Sequence, residues 1–115
     1  MNFDIFKTLA CESTKNVQSF SHFVSYAEAL MNANLFLMKE GNKKQFEAIW
    51  FEMELVNALA LSDWEQCGKP EVWEKWYQQY YDDISYFEDA QNTVTRFIEM
   101  IETLIPNIIW LKFNG

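Results

Sequence analysis

Glycine and proline are scarce in this sequence, with 3 and 2 residues among 115. So few turn-forming residues disfavour an all-β fold, which needs a tight turn after every short strand. Half of the residues are apolar, which excludes an intrinsically disordered chain. A chain of this length ordinarily forms one domain with its own core. We therefore expect residues 1–115 to fold as a single helical domain.

Metal-binding and catalytic residue types are scarce as well, with two cysteines and one histidine. Cys11 and Cys67 form neither a disulfide framework nor a zinc-ligand pattern, so we expect both to be small buried apolar residues. His22 lies opposite the apolar face of its helix, is expected to be exposed, and has no acid placed to orient it. A di-iron carboxylate bundle would need two Glu-x-x-His pairs. The sequence therefore predicts no metal, no cofactor and no enzymatic activity.

Basic residues are outnumbered by acidic ones, 9 to 17, which gives a net charge of -8. Direct binding to DNA or RNA needs clustered Lys and Arg, so this balance argues against nucleic acid and favours a basic protein partner. The longest strongly apolar run, Ile101–Phe113, is interrupted by Glu102, Pro106 and Lys112 and cannot span a bilayer. The amino end contains Asp4 and lacks the basic start of a signal peptide. We expect a cytoplasmic protein.

Two segments in the first half repeat apolar residues every three or four positions, the period of an amphipathic helix. The first runs from about Ser13 to Glu40, with Ser13 or Thr14 as its predicted cap and Gly41 as its left-handed end. The second runs from about Asn42 to Leu61, after which the capping-box spacing of 62–65 predicts a short new turn before the next glycine, Gly68. The predicted inward residues are Val17, Phe20, Val24, Ala27, Met31, Leu35 and Met38, then Phe46, Ile49, Met53, Val56 and Ala60.

The third segment begins at Pro70 and continues without a breaker to Pro106. Its apolar series contains one polar member, Gln91, and we expect one long helix or two nearly collinear helices joined close to it. Residues 2–11 are predicted to form a short helix, and residues 107–113 an apolar tail on the bundle. Amphipathic helices joined by short connections bury their apolar faces against one another. The predicted fold class is therefore all-α, an antiparallel bundle of three to four amphipathic helices.

Negative charge is concentrated in one part of the chain, residues 63–89. This segment holds 8 acidic and 2 basic residues, a net charge of -6, together with 8 aromatic residues. Tyrosine supplies rigid contact area and carboxylates attract Lys and Arg, so an outward helix face that carries both is suited to a protein partner. An acidic face also serves solubility alone, and the sequence leaves both interpretations open. The candidate partner-binding residues are Glu71, Glu74, Gln78, Tyr81, Asp82, Tyr86, Glu88 and Asp89.

The small size, acidic balance and aromatic content of the chain, above all from Trp64 to Asp89, resemble those of bacterial toxin-immunity proteins, which act in bacteriocin and contact-dependent inhibition systems. The resemblance implies a non-catalytic inhibitor that occludes a toxin nuclease. Its carboxylates would occupy the basic cleft in which the nuclease holds phosphates. The contacts expected first are Glu71, Glu74, Asp82, Tyr86 and Asp89.

Three alternatives remain open. A phage-encoded inhibitor of a host defence nuclease would use the same electrostatics. The opening MNFDIFKTL resembles the start of some phasins, which would make the chain a granule coat protein that binds through amphipathic helices. In a self-associating helical domain, the apolar stripe of the third segment would be a homodimer seam whose register is set by Gln91.

Overall fold

Four α-helices follow one another in the computed structural model, which describes residues 3–34, 39–66, 68 and 86–104. We number them α1 (Phe3–Ser13), α2 (Val17–Asn34), α3 (Glu40–Gln66) and α4 (Tyr86–Leu104). No strand occurs in these ranges, and the all-α prediction is confirmed. The predicted start of the third segment at Pro70 and the predicted apolar tail 107–113 lie outside the described residues.

The predicted short N-terminal helix is present as α1, and a three-residue turn separates it from α2. Asn16 caps α2, because the backbone N–H of Ser19 donates to Asn16 Oδ1 at 2.8 Å. The predicted cap at Ser13 or Thr14 was wrong. Ser13 belongs to the last turn of α1, where its hydroxyl donates to the carbonyl of Ala10 at 2.6 Å, and Thr14 is buried in the turn.

The helix α3 is longer at both ends than the sequence pattern predicts. Gly41 lies in its first turn and has no left-handed backbone, so the predicted stop at this glycine was wrong. The backbone N–H of Lys43 donates to the carbonyl of Lys39 at 3.0 Å, which starts the helix before the glycine. At the other end, α3 runs through residues 62–65 without the predicted new turn. Gly68 has a φ of 86°, the left-handed conformation that glycine adopts without strain, and it follows the helix end as predicted.

One phenylalanine from each helix lies at the centre of the core. The ring centroids of Phe6 and Phe23 are 5.2 Å apart. Phe97 lies 6.3 Å from Phe6, 6.2 Å from Phe23 and 5.3 Å from Phe46. Aromatic pairs with these separations and tilted or edge-to-face rings add about 0.5–1.5 kcal/mol each to the free energy of burial. This cluster therefore joins all four helices.

The predicted inward residues of α2 are buried from Val17 to Met31, as expected. Those of α3 are buried as well, except that Ile49 and Val56 are half-buried against the core. Leu35 and Met38, also predicted to point inward, lie outside the described residues. In these two helices the apolar period therefore identifies the core-facing side.

In α4 the buried positions differ in part from the prediction. Val94, Ile98 and Ile101 are buried as expected, but Gln91 is exposed, and its neighbour Ala90 takes the inward position. The helix also passes through residues 91–93 without a break, so the alternative of two collinear helices joined there was wrong. Val94, Ile98 and Ile101 of the predicted homodimer seam are thus buried inside the chain itself.

The helices α3 and α4 run antiparallel, as two of their contacts show. Glu52 of α3 forms an ion pair with Arg96 of α4, and one turn later Val56 lines a groove together with Asp89. Residue numbers thus increase along α3 in the direction in which they decrease along α4. Two further contacts join α2 to α3 and α1 to α4.

The first of these links α2 to α3: the indole N–H of Trp50 donates to the carbonyl of Val24 at 3.0 Å. The second links α1 to α4, where Lys7 Nζ lies 3.6 Å from a carboxylate oxygen of Glu102. With the Phe6–Phe23 contact between α1 and α2, each described helix contacts at least two others, and the predicted helical bundle is confirmed.

Candidate partner-binding surface

The predicted acidic face falls within the described residues only where it enters α4. Glu88 and Asp89 lie in the first turn of α4, and both are exposed. Carboxylates at this position are favoured by the partial positive charge of a helix N-terminus. Tyr86 is the first residue of the same helix. The other five predicted contact residues lie outside the described residues: Glu71, Glu74, Gln78, Tyr81 and Asp82.

The inward side of α4 anchors these two carboxylates. Ala90 directly follows Asp89 and is fully buried, and Thr93 and Val94 are buried on the next turn. The Thr93 hydroxyl donates to the carbonyl of Ala90 at 3.0 Å. The first turn of α4 thus presents both carboxylates from a backbone held by the core, which reduces the entropy lost when they bind a partner.

Asp89 borders a shallow groove between α3 and α4 with a volume of about 320 Å³. Leu55 and Val56 of α3 line the same groove, together with the paired side chains of Glu52 and Arg96. Within the described chain, Arg96 forms its ion pair with Glu52, and no ion pair involves Asp89. Asp89, which has no paired cation among the described residues, therefore borders the same groove as the exposed apolar side chain of Leu55.

The helix α3 carries large apolar side chains on the side that points away from the core. Phe51, Leu55 and Leu59 are 55%, 49% and 59% exposed, and their steps of four residues place them in one line. Small exposed residues accompany them, and the charged side chains of Glu47 and Glu52 flank the line. We call this surface the outward face of α3 and define it by six residues: Ala48, Phe51, Leu55, Ala58, Leu59 and Ser62.

The sequence prediction missed this face because it followed only the inward stripe that begins at Phe46. The signal was present, since Phe51, Leu55 and Leu59 form a second series with the helical period on the opposite side. A helix that is apolar on both sides is typical of an element that is covered on both sides. The outward face of α3 is therefore a second candidate contact surface.

A larger groove of about 730 Å³ lies between α1 and α4, and Lys7, Cys11 and Glu99 are among its lining residues. Cys11 is exposed there, so the prediction that it is a buried residue was wrong. The helix turns Ala10 into the core, and the next residue points away from it. Cys67 lies outside the described residues. The only histidine, His22, is exposed on α2, as predicted, and does not line this groove.

No group of three or more His, Cys, Asp or Glu side chains suited to a metal ion occurs in the described part of the chain. None of the helices described above is long and apolar enough to cross a membrane. No family model matches the chain, and neither a curated protein nor a solved structure matches it. Function is therefore inferred from the exposed surfaces.

Proposed function

We propose that the protein is a non-catalytic binding protein that neutralises a basic protein partner. The observation that carries this proposal is the position of Glu88 and Asp89, two exposed carboxylates on an anchored helix turn, with Asp89 in one groove with exposed Leu55. They also end the segment that holds most of the net negative charge. Apolar contact supplies burial and the surrounding charges select the partner, so the two together suit a protein-binding surface.

The charge pattern favours a partner rich in Lys and Arg. A surface of one sign attracts a partner of the other sign before contact and raises the association rate. This attraction depends on salt, because the screening length falls from about 10 Å at 0.1 M to about 3 Å at 1 M ionic strength. Association should therefore slow down as salt is added, while dissociation changes less.

The proposed partner class is a nuclease toxin, and the proposed role is that of an immunity protein. A nuclease holds the phosphates of its substrate with basic side chains, so carboxylates presented by an anchored helix are complementary to the same cleft. Inhibition would occur by occlusion and would need no catalytic group on this chain. A phage-encoded inhibitor of a host defence nuclease would use the same contacts, and the identity of the partner separates the two roles.

The test compares three forms of the full chain immobilised on a resin. The wild type is compared with the double variant Glu88→Lys/Asp89→Lys and with the control Glu12→Lys/Glu28→Lys, which changes net charge equally at exposed sites on α1 and α2. Each resin is incubated with native host lysate at low salt and eluted with a salt gradient. Eluted proteins are identified by mass spectrometry, and their nuclease activity is measured with and without the free chain.

The expected result is one basic protein that elutes at moderate salt from the wild type and the control but is lost from the Glu88/Asp89 variant. Its nuclease activity should fall when the free wild-type chain is added. Equal retention by all three forms would contradict the proposed surface. Retention of a partner without nuclease activity would contradict the immunity role and leave the binding role in place.

A further inference from the structure

We draw no further inference here: the strongest candidate, the outward face of α3 with its exposed apolar side chains Phe51, Leu55 and Leu59, carries none, because nothing in the described part of the structure shows what covers it.

Discussion

The ring of Phe97 stands edge-on to the ring of Phe46, with centroids 5.3 Å apart and planes at 81°. This contact holds α4 against α3, the two helices that border the groove beside Asp89. Because Phe97 also contacts Phe6 and Phe23, the position of α4 depends on all three other helices. The exposed carboxylates at the start of α4 are therefore supported by the centre of the core.

Replacing Phe97 by alanine should lower the free energy of unfolding by about 3–5 kcal/mol, since the side chain is fully buried and its removal leaves a cavity. Urea unfolding followed by circular dichroism measures this change. Phe51→Ala is the matched control, because Phe51 is 55% exposed and its replacement should lower the free energy of unfolding far less. Similar losses for both variants would contradict the assignment of Phe97 to the core.

Asn16→Ala should lower the free energy of unfolding by about 1 kcal/mol, because it removes the side-chain oxygen that accepts from the N–H of Ser19. Asn16→Asp retains an acceptor at the helix start and should remain close to the wild type. Thermal unfolding of both variants makes the comparison. Equal stability of the alanine variant and the wild type would show that Asn16 does not cap α2.

Alanine substitutions at Gly41 and Gly68 should change stability in opposite directions. Gly41 lies in α3, and a Cβ added there would meet no atom within 4 Å, so Gly41→Ala should raise stability by about 0.4–1 kcal/mol through a less flexible unfolded chain. Gly68 has a φ of 86°, and Gly68→Ala should cost about 1–2 kcal/mol because an L side chain disfavours this conformation. Denaturant midpoints measure both effects. A loss of stability at Gly41 would contradict the helical start described here.

The ion pair between Glu52 and Arg96 should contribute little to stability, because both side chains are about half exposed. A double-mutant cycle with Glu52→Gln and Arg96→Gln should give a coupling of about 0.2–1 kcal/mol. The coupling should shrink as salt is added. A coupling of about 3 kcal/mol or more that salt leaves unchanged would instead indicate a buried pair.

Much of the fold follows from the apolar period of the sequence. The series that contains Phe20 and Val24 and the one that contains Phe46 and Met53 both point into the core, because each helix has only one continuous inward stripe. Phe23 and Phe97, however, do not belong to the predicted stripes. Both are nevertheless buried at the centre of the core, so the inward faces of α2 and α4 differ from the predicted stripes, and the packing of neighbouring helices decides which residues are covered.

The start of α2 shows a different limit. Ser13, Thr14 and Asn16 are all suitable capping residues, so local preference cannot choose among them. The choice is made by α1, which continues through Ser13 because Ala10 and Ser13 are buried against the bundle.

The candidate site was predictable in part. The exposure of Asp89 follows from its position opposite the predicted apolar stripe, and that of Glu88 from its position beside this outward face. The position of Asp89 and Leu55 in one groove does not follow from the sequence, because it depends on how α3 and α4 cross in space. The outward face of α3 was overlooked because one helix carries two apolar series and the inward one is more continuous.

The most direct test of the proposed binding role is the association rate of the chain with the basic protein it retains, measured by stopped-flow at low and high ionic strength. The wild type should associate at least about tenfold faster at low salt, as expected for electrostatic steering, and Glu88→Lys/Asp89→Lys should lose most of this difference. The Glu12→Lys/Glu28→Lys control should keep a larger part of it. An association rate that does not depend on salt, or an equal loss in both double variants, would contradict the account.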